Sequence, residues 1–485
     1  MTTSFAIAQD DTREATTERA WLRRFALPAI LLLATAWRVH HLGAQSIWYD
    51  EGLSIGIALT PLEQLIESVR FFEQTPPLYH LMLGGWVRVF GDSEFAVRVP
   101  SVIASVMAIW ATWHLATRAG GFVAACAATT LMALSPFQLH YAQEARGYAL
   151  FLALSLWSCE LFLRLVDGSR RSAIAYVPVV VAMLYTHPFA ALVILAQNLA
   201  LAVLFVRGPK PKVSILRWLA LQAVSLLLFA PWLPTQLRWT RSVARTFWIE
   251  PFNATEILRS FWAYTDSVFA LILLAVFAVV GVRRARDRRI PLLSLMLLAT
   301  SIVLPVIVSM IVRPMFSPRY GMVCAGALYV LAGAGVAAVR SAWARGLALA
   351  AMVALPMIGW LPHPSFIAYE KDDWRGAGRY LQENTRPGDS VAINIPQATV
   401  VYNYYVARPD VEVIAFKGTN IPIGAKLRRG ANVWLVVHSS KETPEEIIAA
   451  GNWRVAPTPT FRGVQVYRLL PGAPPASGPQ TGPGI

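Results

Sequence analysis

Charge is what this sequence has little of. Asp, Glu, Lys and Arg make up 15% of its 485 residues and hydrophobic residues 56%, whereas a soluble chain carries about 25% charged residues. With a mean hydropathy of +0.48, that shortfall excludes an ordinary soluble domain. Cysteine is scarce as well. Cys126, Cys159 and Cys324 all lie inside apolar runs, with no disulfide framework or metal spacing, and read as small core residues. The polar stretch up to about Ala20 is not followed by the small-residue cleavage site of a signal peptide, so the first apolar run reads as a retained span. No internal repeat is visible. Acidic residues are outnumbered, 28 against 43 basic, for a net charge of +15. Such a surplus would suit nucleic acid, but the basic residues cluster in short loops between apolar runs, where they orient a membrane protein.

What the chain does have is a succession of apolar runs of roughly 17–22 residues, the signature of a polytopic α-helical membrane protein. Arg23 and Arg24 precede the first run, which places the N-terminus in the cytoplasm and Ser46-Ile47-Trp48-Tyr49-Asp50-Glu51-Gly52 outside. Residues 61–72 are amphipathic at helical spacing, as in a helix lying on a bilayer surface. The apolar stretch 76–90 is short and carries Arg88 near its end, so it reads as interfacial or re-entrant. The second span is then about 97–116. Later spans fall near 121–138, 147–166, 172–188, 189–206, 215–233, 265–282, 290–312, 318–339 and 345–361. This parity puts Arg164, Arg170, Arg171, Arg207, Lys210, Lys212, Arg217, the group from Arg283 to Arg289, Arg340 and Arg345 in the cytoplasm. Counting 76–90 as a span would move them all outside, against the positive-inside rule. The expectation is therefore about eleven spans over 21–361, a first external loop at 43–96, and an external C-terminus.

Residues 362–470 change character. A helix from Asp373 to Glu383, a strand over 390–395, further strands near 411–415, 432–438, 453–459 and 463–469, and a helix near 443–450 describe a small extracytoplasmic α/β domain. Asp373 reads as an N-cap. Residues 1–20 and the Pro- and Gly-rich 471–485 read as disordered tails.

Sorted by side, the unusual polar residues collect outside: Asp50 and Glu51, then Gln74 to Tyr79 with His80, then His140 to Tyr148, His187-Pro188, Pro231-Trp232, Arg313, and Pro318-Arg319-Tyr320. The order and common sidedness of Trp48-Tyr49-Asp50-Glu51, Thr75-Pro76-Pro77-Leu78-Tyr79, the phrase from Gly91 to Ser101, Tyr141-Ala142-Gln143-Glu144-Ala145-Arg146-Gly147-Tyr148 and Pro318-Arg319-Tyr320 resembles the GT-C class of integral-membrane glycosyltransferases. The likeness is to the family-39-like group that includes protein O-mannosyltransferases and the aminoarabinose transferases of lipid A. It covers residues 20 to about 360. The resemblance implies an inner-membrane, inverting glycosyltransferase that moves a sugar from a polyprenyl-phosphate carrier to a glycan, lipid or protein acceptor on the extracytoplasmic face. It implies Asp50 as the general base.

A positioned carboxylate suits that role, and single-step inversion needs no second acid because the leaving phosphate needs no proton. Arginine forks suit the phosphate, which makes Arg146 and Arg319 the candidates, with His187 beside them. Glu51 joins Asp50 as a catalytic candidate. Glu144, Gln143, Tyr79, His80 and Tyr320 are candidates for sugar or acceptor contacts. A divalent metal would be compatible with so many carboxylates and histidines, but no ligand spacing demands one. Simpler readings stand beside these: a solvated loop for Asp50 and Glu51, a structural ion pair for Glu144 and Arg146, an interfacial belt for Trp48, Trp232 and Tyr320. The competing functions are a glycolipid transporter or flippase, which should carry mid-span charges, and a lipid-linked glycan polymerase or ligase.

Overall fold

The computed structural model describes residues 21, 23–243, 255–311, 317–358, 370–418, 421, 432–438, 443–450 and 453–471. The tails, Arg313 and the expected domain boundary near 362 lie outside these residues. The chain divides into two units, 1–42 with 60–369 and 43–59 with 370–485.

The first unit is helical. It contains α1 (23–39); α2 (Tyr49–Leu59) belongs to the second unit. Then follow α3 (Leu62–Phe72), α4 (Leu78–Phe90), α5 (Val99–Gly120), α6 (Phe122–Leu134), α7 (Pro136–Ala142), α8 (Tyr148–Val166), α9 (Ser172–Leu184) and α10 (Ala190–Arg207). After α11 (Ile215–Phe229), α12 (Leu233–Val243) and α13 (Thr255–Ala263) come α14 (Val268–Arg284), α15 (Arg289–Leu298), α16 (Leu304–Ile311), α17 (Met322–Ala338) and α18 (Ala342–Ile358). A π-helical turn, Ala299–Val303, joins α15 to α16.

Among the described residues, five helices are long and apolar enough to cross a membrane, or seven if each bent pair counts once. That is fewer full-length helices than the eleven spans expected, and the causes are local. The 121–138 run breaks at Ser135-Pro136, where α6 and α7 meet at 60°; α11 and α12 meet at 77°. Proline at the first position of α7 removes only an N–H that has no helical partner, so it starts a new helix instead of continuing the old one. The short α4 has 13 residues, about 20 Å of helix against about 30 Å of hydrocarbon. In α3, Leu65 and Val69 form the buried stripe, the i, i+4 pattern that the sequence displayed.

The unit's core is unusually rich in small residues. Helices α14 and α17 cross so closely that a Cβ on Gly281 would lie 1.9 Å from the Leu331 carbonyl oxygen, and one on Gly335 1.9 Å from that of Phe277. Small residues let backbones approach where helices gain nothing from expelling water. Arg38, within the first apolar run, is fully buried; its guanidinium donates to Ser105 Oγ (2.8 Å) and to the carbonyls of Ala133 (2.8 Å) and Met132 (3.3 Å).

The second unit is α/β. Its five-stranded sheet has the order β2-β1-β3-β5-β4, with β1 Ser390–Ile393, β2 Glu412–Ala415, β3 Val433–Val437, β4 Trp453–Ala456 and β5 Gln465–Pro471. Strands β2, β1 and β3 are parallel; β5 and β4 run antiparallel. Helix α19 (Trp374–Asn384) precedes β1, α20 (Thr399–Tyr405) lies between β1 and β2, and α21 (Pro444–Ala450) between β3 and β4. The central β1 and β3 are buried on both faces, which explains why they lack a polar alternation. Asp373 caps α19 by accepting from Gly376 N at 2.9 Å.

The sequence assigned 43–59 to the membrane domain, whereas the structure builds it into this unit. Gly52 and Gly56 give α2 a bare stripe against α20, where a Cβ on either would come within 2.4 Å of Val401 or Val400. Tyr49 packs on the Trp374–Val401 core. Hydrogen bonds complete the seam: Lys371 N to Gln45 Oε1 (2.7 Å), Ile47 N to the Tyr405 hydroxyl (2.6 Å), and Arg375 to the carbonyls of Gly43 and Ala44.

Candidate functional site

The expected site residues fall into two groups, one in each unit.

In the helical unit the centre is a carboxylate that the sequence reading passed over. Glu73 ends α3 and is buried. Its Oε1 accepts from the backbone N–H groups of Gln74 (2.9 Å) and Thr75 (3.1 Å), and its Oε2 accepts from Arg146 Nη1 at 2.8 Å. His80 Nε2 lies 3.8 Å from the same oxygen. Burial alone would raise the Glu73 carboxyl, but Arg146, His80 and these hydrogen bonds outweigh it and hold it at about 2. His80 is buried with neither ring nitrogen hydrogen-bonded. Burial pushes it down to about 4 despite the nearby carboxylate, so at neutral pH it is an uncharged neighbour.

Short contacts fix the frame around Arg146. Ser101 Oγ donates to its carbonyl (3.3 Å) and shares a 3.1 Å hydrogen bond with the buried Tyr79 hydroxyl. Tyr148, at the first turn of α8, has the Arg146 and Arg319 guanidiniums each 5.9 Å from its ring centre, within cation–π range. Arg319 also lies 5.7 Å from the Tyr320 ring. His187, just before α10, stacks on Phe151 at 4.7 Å and lies 5.4 Å from Tyr320. Its Nδ1 accepts from Phe189 N at 3.2 Å, which leaves the proton on Nε2. Burial, then the Arg146 charge, pushes its pKa down to about 3. His187 is thus a neutral donor, not the cation a phosphate ligand would most want.

The remaining expected contacts have clear partners. Gln143 Nε2 donates to the carbonyls of Arg38 (2.9 Å) and His40 (3.0 Å), tying down the end of α1. Glu144 lies 3.4 Å from His140 Nε2. Arg146 meets the carboxylate of Glu73, 73 residues before it in the chain. Glu73 stood at the end of an amphipathic stretch beside two other glutamates, Glu63 and Glu67, and only its place directly before Gln74-Thr75-Pro76 set it apart.

In the α/β unit, Asp50 sits partly exposed in the first turn of α2, where a negative charge suits the helix dipole. Glu51 does not share its setting. It is fully buried and pairs with Lys371 Nζ at 3.0 Å, and the lysine side chain is itself 6% exposed. A buried pair of this kind holds structure together, since either charge alone would be costly. Nearby, Asp372 Oδ2 and His438 Nε2 are 2.6 Å apart. Among the described residues, no group of three or more His, Cys, Asp or Glu side chains could hold a metal ion.

Comparison with known proteins bears on the fold. Residues 74–234 match the family model described as dolichyl-phosphate-mannose-protein mannosyltransferase. No curated protein sequence matches the chain. Among solved structures, ArnT from Cupriavidus metallidurans in the apo state is similar with a TM-score of 0.61 at 13% identity, over 94% of this chain and 98% of that one. The same protein bound to undecaprenyl phosphate matches with a TM-score of 0.60 at 14% identity, over 93% and 98%. The arabinofuranosyltransferase AftD from Mycobacteria matches with a TM-score of 0.52 at 16% identity, over 94% of this chain but only 42% of that one. The fold is that of the GT-C membrane glycosyltransferases.

Proposed function

We propose that this chain is an inverting glycosyltransferase that moves a sugar from a polyprenyl-phosphate carrier to an acceptor outside the cytoplasm. The GT-C fold and a relative with bound undecaprenyl phosphate support this class of donor. The observation that carries the reading is the pair of guanidiniums, Arg146 and Arg319, on either account 5.9 Å from one ring at the start of α8.

In this reading Arg319 and Arg146 hold the donor phosphate, with the His187 Nε2–H as an uncharged donor. Glu73 is a positioning residue that fixes the Arg146 fork. Tyr320 offers a face to the sugar. Asp50 takes the proton of the acceptor hydroxyl as its oxygen attacks the anomeric carbon. The bond from that carbon to the phosphate oxygen breaks, and polyprenyl phosphate leaves with the bonding pair. One displacement inverts the centre. Glu51, paired with Lys371, supports the segment that carries Asp50 and does no chemistry. Gln143, Glu144, Tyr79 and His80 shape the frame.

The proposed topology has the N-terminus in the cytoplasm, about eleven membrane passages, and the α/β unit on the extracytoplasmic side of the inner membrane. The acceptor is a glycan, lipid or protein. The test is mass spectrometry of cell-envelope glycans from cells carrying the wild-type chain or Asp50→Asn. Loss of a sugar modification, with a drop in rate of about 10²–10⁴-fold, is expected. A modification that persists at full level would remove Asp50 from the role of base.

A further inference from the structure

Three helices of the first unit run the same way. Helices α5, α8 and α10 begin beside Ser101, Tyr148 and His187, at the Glu73–Arg146 cluster, and end at Arg118, Asp167 and Arg207. With 22, 19 and 18 residues, their far ends lie about 27–33 Å from that cluster, close to the thickness of a bilayer core. At those ends a cleft of about 870 Å³ opens.

Its walls carry seven cations, Arg118, Arg207, Lys210, Lys212, Arg286, Arg288 and Arg289, against two carboxylates, Asp167 and Asp287. The carboxylates are already engaged. Asp167 bridges Arg118 (2.7 Å) and Arg289 (2.5 Å), and Asp287 pairs with Arg289 at 2.8 Å. Arg207, Lys210, Lys212 and Arg286 have no ion pair among the described residues, and all four are exposed. Lys212 is held in place: its N donates to the Val166 carbonyl (2.9 Å), and its stem lies across Gly168, where a Cβ would come within 3.1 Å. Arg286 likewise lies over Gly121. Val203, Leu204 and Leu292 line the same cleft. The wall is therefore part cationic and part apolar.

We infer that this cleft binds the phosphate-bearing headgroup of an anionic membrane lipid, with the first carbons of its chains against Val203, Leu204 and Leu292. A free phosphate shares the charge chemistry but has nothing to set against the apolar wall. A basic pocket between membrane helices recognises lipid phosphate in this manner. The site stands at the opposite end of α5, α8 and α10 from the proposed donor phosphate, and is independent of that reading.

The experiment is native mass spectrometry of the delipidated full chain with phosphatidylglycerol, phosphatidylcholine or inorganic phosphate as probe. Phosphatidylglycerol adducts should form in preference to phosphatidylcholine and should survive millimolar inorganic phosphate. Each cation near a lipid phosphate is worth about fivefold in affinity, so Lys210→Glu with Lys212→Glu should weaken phosphatidylglycerol binding by about 25-fold or more. Arg171→Glu with Arg340→Glu makes the same change in charge on exposed residues outside the cleft and should bind as the wild type does. Equal losses in the two double variants would reduce the effect to general surface charge and overturn the site. Displacement of the lipid by inorganic phosphate, or equal binding of phosphatidylcholine to the wild type, would overturn the lipid assignment without any variant.

Discussion

Replacing Glu73 by Gln removes one buried charge and keeps the shape of the side chain. The backbone N–H groups of Gln74 and Thr75 still find an oxygen, but Arg146 loses its 2.8 Å carboxylate. The cost follows from the carboxyl's position. It is held at about 2 against an ordinary 4.5, roughly 2.5 pH units, which at 1.36 kcal/mol per unit is about 3 kcal/mol. Removing one member of a buried ion pair costs about 3–5 kcal/mol by a separate route, so the two agree. For a unit of this size that is a fall in Tm on the order of 5 °C.

The pH dependence separates this carboxylate from its neighbours. A carboxyl lowered by folding stabilises above its unfolded pKa, and the benefit is lost as pH falls from 4.5 toward 2. His80 and His187, lowered from 6.5 to about 4 and about 3, also favour the folded state at neutral pH. Their contribution starts to fall at pH 6.5, where the unfolded histidines take up protons that the folded ones refuse. Wild type and Glu73→Gln should therefore lose stability in parallel between pH 6.5 and 5, and converge between pH 4.5 and 3. Thermal unfolding of the detergent-solubilised chain from pH 3 to 8 reads both features. A variant within 1 °C of the wild type at pH 7, or a gap that stays constant down to pH 3, would refute the reasoning.

Lys371→Met strands the buried Glu51 carboxylate and should cost about 3–5 kcal/mol, seen as faster proteolysis of the α/β unit; adding Glu51→Gln should restore much of it, and a double variant as unstable as the single one would count against the pair. Gly335→Ala drives a methyl into the Phe277 carbonyl and should destabilise the α14–α17 crossing by about 1–3 kcal/mol, measured as a lower Tm, whereas Gly346→Ala, where a Cβ meets nothing, should leave Tm unchanged. Asp389→Asn replaces a carboxylate that accepts from Arg386 N, Asn432 N and Trp434 Nε1. Those bonds lower its carboxyl against the pull of burial, and their weakening should cost about 1–3 kcal/mol, read by unfolding followed at Trp434; no loss at neutral pH would show that Asp389 is dispensable to the β1–β3 junction.

The α/β unit was legible strand by strand because its core strands are short, mostly apolar runs with polar or turn residues at their ends, and each signal is local. The amphipathic α3 and the short α4 were legible for the same reason. Distance in the chain hid the rest. Nothing in Gly52 and Gly56 announces that they will lie against Val401 and Val400, about 350 residues later, so the segment bearing Asp50 was assigned to the wrong neighbours. Arg38 was hidden in an apolar run because its partners are a serine hydroxyl 67 residues away and backbone carbonyls, which every residue has. Glu73 was hidden because a carboxylate at the polar face of a surface helix is the commonest thing such a helix can carry. Its partner, Arg146, arrives from another part of the chain.

The pairing of Glu73 with Arg146 also alters how the two arginines should share the proposed phosphate. Arg146 already spends one arm on a carboxylate that stays ionised above pH 2, so its charge is largely balanced in place. The N-terminal ends of α8 and α10 add partial positive charge beside Tyr148 and His187, but they are neutral groups overall. Arg319, beside the same Tyr148 ring and the Tyr320 ring, is then the second guanidinium that the proposed phosphate would meet. Arg319→Lys keeps the charge and loses the planar fork, a change that is not conservative where two phosphate oxygens are held at once. It should weaken binding of a polyprenyl-phosphate donor by about tenfold or more, measured by titration in detergent. Glu73→Gln, which releases the charge of Arg146, should leave donor binding equal or tighter while lowering stability. Weaker donor binding in Glu73→Gln, with wild-type binding in Arg319→Lys, would reverse the assignment and make the fixed geometry of Arg146 the element that the phosphate depends on.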